Sequence, residues 1–292
     1  MGDLETQTLP DLIELCQQTL HWQPNATQTS QFQQLYQQVL AANRQFNLTR
    51  ITEPIEFWEK HLWDSLRGVA PLWPEFRKWE AKGGAGEIKA PVETLQATSE
   101  NAAQGRSDYH HNPIAYRPLP VAPKVIDIGT GAGFPGIPIA IAQPDWSLTL
   151  LDATRKKITF LDRLLPQLAI EHATPLIGRV EQIAHMPQHR EAYDLALIRA
   201  VGSAATCAEY ALPLVKVGGW AILYRGQWTL AEAKVLHSAV AQLGGQIEAV
   251  EAFTTPLSQS KRHCIFLRKV EVTAAKFPRA VGLPAKLPLA ND

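Results

Sequence analysis

The sequence predicts an α/β protein in which a mostly parallel sheet of seven strands follows an N-terminal helical segment. Three observations carry this. From residue 124 onward, short apolar runs alternate with stretches of helical periodicity, whereas residues 12–66 show the helical spacing alone. A glycine-rich turn, Gly129-Thr130-Gly131-Ala132-Gly133, joins the first strand to the helix behind it. Strands that alternate with helices build a parallel sheet covered on both faces. Ligands of such sheets bind beyond the carboxyl ends of the strands, near the point where strand order reverses.

The helical segment opens after Pro10 with an apolar stripe of Leu12, Ile13, Leu15, Cys16 and Leu20. Ser30-x-x-Gln33 reads as a capping box. Behind it Phe32, Leu35, Tyr36, Val39, Leu40 and Phe46 keep the i, i+3, i+4, i+7 spacing of one helical face. Thr52, Glu53 and Pro54 signal a further start, cap then acid then first-turn proline. The helix that follows turns Phe57, Trp58, Leu62 and Leu66 inward, with His61 and Asp64 on its turns.

Residues 79–123 hold glycine, proline and polar residues with hardly any aliphatic periodicity, and such a stretch cannot bury enough surface to offset chain entropy. It is expected to be a flexible insert. His110-His111 within it have no acid or cysteine at ligand spacing, and no metal is expected. The chain thus divides into a helical segment (1–78), the insert (79–123), a sheet domain (124–270) and a basic, proline-containing tail (271–292).

The expected strands are Val125–Ile128, Ser147–Leu151, Pro175–Ile177, Leu195–Ile198 and Trp220–Tyr224, the last after a turn at Gly218-Gly219. Ile247–Phe253 and Cys264–Arg268 close the sheet as a pair. Helices are expected over Thr154–Leu165, Ala204–Leu212 and Leu230–Leu243, the last ended by Gly244-Gly245.

The 28 basic and 28 acidic residues of the 292 cancel. This argues against a protein that coats nucleic acid non-specifically, since such binding leans on phosphate neutralisation, and leaves room for a local basic patch. Cys16, Cys207 and Cys264 are too scattered for a zinc or redox motif. No apolar run approaches the ~20 residues that span a bilayer, and the polar, acidic start MGDLETQTLP is unlike a signal peptide. A cytoplasmic monomer with no membrane association is expected.

Spacing at the glycine turn narrows the ligand. A dinucleotide fold wants G-x-G-x-x-G, with glycine where this chain has Phe134. Asp127, two residues before the first glycine, would repel a pyrophosphate and welcome a cation. The pattern D-x-G-x-G-x-G resembles the first motif of the Rossmann-like methyltransferases that use S-adenosylmethionine, a cofactor with an ammonium and a sulfonium but no phosphate. Asp127, Gly129, Gly131, Gly133 and Phe134 are then cofactor-binding candidates. Asp152 closes the second strand 23 positions after Gly129. An acid at that distance binds ribose hydroxyls, and a helix N-cap is the other role open to it. Glu181 and Arg199 end neighbouring segments and are expected at the same crevice. The alternative for Arg199 is an ion pair with Asp194 or Glu181.

Cations gather in the tail (Lys276, Arg279, Lys286), on the last strand (Lys261, Arg262, His263, Arg268, Lys269) and at one helix start (Arg155, Lys156, Lys157). Either an RNA-binding face or ordinary solvated surface accounts for them.

Several ordered stretches together carry a more specific likeness. Asn47-Leu-Thr-Arg-Ile-Thr52, Phe57-Trp-Glu-Lys-His-Leu62, Asp64-Ser-Leu66, DIGTGAGFPGIP, Asp152-Ala-Thr-Arg-Lys-Lys157, Arg199-Ala-Val201 and Phe277-Pro-Arg279 with Gly282-Leu-Pro284 and Lys286 are similar to the small-subunit ribosomal RNA guanine-N7 methyltransferases of the RsmG (GidB) family. The resemblance implies methyl transfer from S-adenosylmethionine to N7 of a guanosine in the 530 loop of 16S RNA, with that RNA or the 30S subunit as partner. It implies cofactor contacts at Gly129, Phe134, Asp152, Ala153, Thr154, Val180, Glu181 and Arg199. Arg155, Lys156, Lys157, Lys261, Arg262, Arg279 and Lys286 are the RNA-binding candidates, and His61, Asp64 and Arg199 those for the target base. Guanine N7 carries a free lone pair, so no general base is expected. The 79–123 stretch departs from the pattern, being far longer than the usual junction between helices and sheet. An RNA-binding assembly factor on this fold, or a nicotinamide-dependent oxidoreductase, are the competing readings.

Overall fold

The computed structural model describes residues 8–74, 76, 78 and 119–289. Most of the expected insert, His110-His111 included, lies outside the described residues, as do the first seven residues and the Phe46 side chain.

Helices α1 (Ile13–Leu20) and α2 (Ala26–Phe46) come first. The start of α2 differs from expectation: the box is Asn25 with Gln28, each side chain bonded to the other's backbone amide, rather than Ser30 with Gln33. The apolar stripe begins later than the helix because its first two turns dock through amides. Gln28 Nε2 donates to Ile141 O at 2.8 Å and Gln31 Nε2 to Leu168 O at 2.7 Å. Next, α3 (Pro54–Phe57), a π-helical turn (Trp58–Trp63) and α4 (Asp64–Val69) run on as one helix. Glu53 precedes Pro54 at its start without a side-chain cap. Phe57, Trp58, Leu62 and Leu66 are all buried, as the spacing requires.

The sheet has seven strands in the order β3-β2-β1-β4-β5-β7-β6. They are β1 (Lys124–Ile128), β2 (Ser147–Asp152), β3 (Ala173–Ile177), β4 (Tyr193–Arg199), β5 (Val215–Arg225), β6 (Gly245–Thr254) and β7 (Lys261–Lys269). The first five are parallel, and β7 runs antiparallel between β5 and β6. Gly218-Gly219 is not a turn ahead of β5 but an irregularity inside it. Tyr193 pairs with Val215 and Leu195 with Trp220, and a Cβ at Gly219 would come within 2.8 Å of Asp194 O.

Alternate strand residues serve opposite faces, each a separate core, which is why the strands read as continuous apolar runs. Val125, Leu148, Leu195 and Ile222 join the N-terminal helices, α5 (Gly136–Ala142) and α6 (Arg155–Gln167). Ile126, Leu151, Ala196 and Leu223 face α8 (Ala204–Ala211) and α9 (Leu230–Gln242). Between them in the chain lies the short α7 (Val180–Ile183). Gly68 fixes how closely the N-terminal helices approach, since a Cβ there would fall 2.2 Å from the Tyr224 ring of β5. Buried Glu59 accepts from the amides of Leu257 (2.6 Å) and Ser258 (2.9 Å), tying the β6–β7 loop to the π turn. The tail returns across the second face to α10 (Leu283–Lys286).

Candidate functional site

The glycine turn leaves β1 at the centre of the sheet, where β1 is flanked by β2 and β4 and strand order reverses. All three glycines have positive φ. Their surroundings differ: a Cβ at Gly133 would strike Ile137 at 2.4 Å, so that glycine serves packing. One at Gly131 would meet only Gly129 O at 3.9 Å, so Gly131 borders open space. The backbone there is bare toward a ligand.

Asp127 is fully buried, and its Oδ2 accepts from Thr130 Oγ1 at 2.7 Å and from the Gly136 amide at 2.8 Å. It thereby pins both ends of the turn. Its Oδ1 is buried with no hydrogen-bond partner. Burial raises its pKa from the usual carboxylate value to about 6, against the lowering by those two bonds and by the Arg199 charge. A buried, half-satisfied carboxylate is costly unless a ligand completes it. It fits a cation.

Asp152, also buried, ends β2. Oδ1 accepts from the Thr154 amide (2.8 Å) and Oδ2 from the Gly131 amide (3.1 Å), with Lys157 Nζ at 3.3 Å. It stabilises the start of α6 and also holds the glycine turn against the end of β2. Ala153 and Thr154 are exposed beside it. Glu181 is placed differently from the expected crevice lining. Buried on α7, it accepts from Tyr210 Oη at 3.1 Å and from the Gly282 amide at 2.9 Å, joining α8 to the tail, while Val180 packs in the second core.

Arg199 pairs with neither Asp194 nor Glu181. It donates to Asp64 Oδ2 (3.1 Å), Lys60 O (2.9 Å) and His61 Nδ1 (3.3 Å), so His61, Asp64 and Arg199 form one cluster beside the turn. Asp194 instead accepts from Lys216 and the Lys124 amide. Arg262 reaches the same Asp64 through Nε (3.0 Å) and Nη2 (2.8 Å), a two-pronged pair. The His61 ring stacks on Phe134 with centroids 4.3 Å apart and the ring planes nearly parallel, and its Nε2 meets Thr49 Oγ1 at 2.8 Å. Because Nδ1 accepts from arginine, the proton sits on Nε2. Burial, then the Arg199 charge, holds the His61 pKa down at about 3. A histidine kept neutral in the fold but free to protonate when unfolded costs stability as pH falls below about 6.5, at about 1.4 kcal/mol per unit until the folded pKa is reached. Urea unfolding of wild type between pH 6.5 and 5 is expected to lose about 2 kcal/mol more than His61→Gln. Equal slopes would disprove the neutral strut.

The expected basic face is only partly free. Arg155, Lys156, Lys261 and Lys286 are exposed, whereas Lys157 and Arg262 are held by acids. Arg279 is clamped to the fully buried Glu209 (Nη2–Oε2 2.7 Å) and to Leu287 O, so it fixes the tail. Lys269 is wholly buried against Leu212 O (2.7 Å), Thr273 Oγ1 and Glu191 (3.1 Å), and burial lowers its pKa to about 8. Both cations find acids far away in sequence, which composition cannot show.

An open cavity of about 470 Å³ adjoins Arg199 at the ends of β4 and β5, walled by Tyr224, Arg225, Gln227, Glu232 and Arg262 as well. Arg225 and Glu232 were not among the sequence candidates. Arg225 closes an apolar strand as Arg199 does, and the same signal would have found it.

This strand order with an antiparallel β7, and an acid-backed glycine turn beside a polar cavity, define a methyltransferase of the S-adenosylmethionine-dependent class. The family model for "GidB: rRNA small subunit methyltransferase G" matches residues 28–80 and 117–271. Proteins named ribosomal RNA small subunit methyltransferase G from Trichormus variabilis and Nostoc punctiforme are 51% and 50% identical over 284 residues, 97% of this chain and 100% of each relative. One from Gloeobacter violaceus is 45% identical over 272 residues, 93% of this chain and 90% of its own. The chain belongs to the rRNA small subunit methyltransferase G family. No helix among the described residues is long and apolar enough to cross a membrane.

Proposed function

We propose that this protein methylates N7 of a guanosine in the 530 loop of 16S ribosomal RNA, working as a monomer in the cytoplasm with the RNA or the 30S subunit as partner. The observation that carries the reading is the half-identity to rRNA methyltransferases along nearly the whole chain. The paired crevices support it, one holding an unsatisfied buried acid and the other lined by arginines.

S-adenosylmethionine, when bound, supplies an electrophilic methyl on a sulfonium centre. The N7 lone pair would take up that methyl, with the sulfonium leaving as a neutral thioether and the positive charge passing to the base, so no residue of this chain has to remove a proton first. The protein's part is alignment and exclusion of water. Asp127, Asp152 and the bare backbone around Gly131 hold the donor side, with Gly129, Gly133, Phe134, Ala153 and Thr154 shaping it. Val180 and Glu181 support the adjacent wall. Arg199 stands between the crevices, its guanidinium carbon 5.9 Å from the Phe134 ring centre. His61, engaged at both ring nitrogens, is a strut and not a base. Exposed Arg155, Lys156, Lys261 and Lys286 meet phosphates. N7 must be presented from an unpaired or loop guanine, as single-stranded RNA allows.

The test is methyl transfer to 30S subunits from cells lacking this protein, with the modified nucleotide mapped by mass spectrometry. Label at one guanosine N7 is expected. Subunits retained without label would leave only RNA binding, and label elsewhere would overturn the substrate.

The site also makes a pH prediction. Above about pH 6 Asp127 is ionised and can pair with a ligand ammonium; below it the carboxyl is neutral. Titration calorimetry with S-adenosylhomocysteine is expected to show affinity that is flat above pH 6 and falls up to about tenfold per unit below it. Asp127→Asn should flatten the dependence. A wild-type affinity insensitive to pH down to 5 would remove Asp127 from the contact.

A further inference from the structure

The cavity at the ends of β4 and β5 shares Arg199 with the glycine-turn crevice, where that guanidinium also lies 5.9 Å from the Phe134 ring centre. At about 470 Å³ it falls within the size range of small-ligand sites. Its charges are mixed. Three arginines line it, but Asp64 holds Arg199 and Arg262, and Glu232 holds Arg225 (Nη2–Oε1 2.8 Å). Two acids thus offset most of the cationic charge, which disfavours a bare phosphate as occupant. Arg225 is further fixed by Gly202 O at 2.6 Å, while its Nε is buried with no partner.

Glu232 stands at the third position of α9. Its Oε2 accepts from the Thr229 amide and hydroxyl at 3.2 Å, and Oε1 from Arg225. A carboxylate offers about four lone-pair directions, of which these three bonds leave one, on Oε1, in a residue that lines the cavity. Guanine presents acceptors N7 and O6 on one edge, and donors N1–H and N2–H₂ on the other. Adenine puts a donor amine beside N7 and has no donor at the far edge. A cavity with arginine on the methyl-donor side and a carboxylate on another wall therefore matches guanine at both edges and adenine at neither.

We propose that Glu232 is the specificity-determining residue for the target base, its remaining Oε1 lone pair accepting a hydrogen bond from N2–H₂ of a guanine extruded into this cavity, with Arg199 toward O6 and Arg225 holding the carboxylate in place. This rests on the guanine-N7 reading above. Extrusion of a base into a fitted pocket is how enzymes reach atoms hidden in a stack. Loss of one hydrogen bond to a charged acceptor costs roughly tenfold to a hundredfold in discrimination.

The experiment compares 30S subunits carrying guanosine or inosine at the target, inosine lacking only the N2 amine. Wild-type kcat/KM is expected to fall about tenfold to a hundredfold with inosine. Glu232→Gln keeps the capping box, which accepts glutamine at this position. It should lower transfer to guanosine and bring the guanosine-to-inosine ratio to within about threefold, with S-adenosylhomocysteine affinity unchanged. Wild type that accepts inosine as well as guanosine overturns the assignment without any variant being made. So does a guanosine-to-inosine ratio that survives in Glu232→Gln. Wild type that labels neither substrate overturns the guanine-N7 reading, and this inference with it.

Discussion

Asp64→Ala is expected to lower the unfolding free energy by about 3–5 kcal/mol, the cost of removing one partner from a buried charge cluster. Asp64 is 2% exposed and receives three charged hydrogen bonds, one from Arg199 and two from Arg262. Without it the Arg199 and Arg262 guanidinium groups lose the acid they share and are left close to one another. The melting temperature should drop by about 10 °C, and Asp64→Asn, which keeps an acceptor, should lose less. A melting change under about 2 °C for the alanine variant would show that the arginines are re-solvated cheaply and that the cluster is surface-like.

The second large effect is on the donor side. Asp152→Ala is expected to raise the dissociation constant of S-adenosylhomocysteine by about tenfold to a hundredfold, from lost bonds to a charged acceptor. Lys157→Ala should change it less than about threefold, because that cation is more than a third exposed and its pair with Asp152 is long at 3.3 Å. Calorimetry on the two variants checks both. Unchanged affinity in Asp152→Ala would reduce its role to holding the Gly131 and Thr154 amides.

What the sequence made legible, and what it hid, follows from the range of each interaction. The inner strands, buried on both faces, announce themselves as unbroken apolar runs; the half-exposed edge strands β3 and β6 read as strands from shorter runs, and the antiparallel direction of the closing pair shows only in the fold. The position of Asp127 before the turn was readable for the same local reason. Ser30-x-x-Gln33 misled because Asn25-x-x-Gln28 offers the same pattern five residues earlier, and side-chain amides rather than apolar groups dock the first turns of α2. Arg199 was placed in the right neighbourhood with the wrong alternative partners, since Asp64 is 135 residues away. Lys269 and Arg279 counted as surface charge until Glu191 and Glu209 came to meet them. Charges report their sign in a sequence and their company only in a fold.

The pair between Asp64 and Arg262 spans 198 residues, and the Glu59 contacts with the β6–β7 loop span as many. At translation rates of about 5–20 residues per second, roughly 10–40 s separate synthesis of the acids from synthesis of the groups that satisfy them. The helices made first must therefore wait for the strand made near the end before their buried charges are neutralised. A ribosome stalled before β7 is therefore expected to hold a nascent chain whose leading segment lacks these partners and is open to proteases and chaperones.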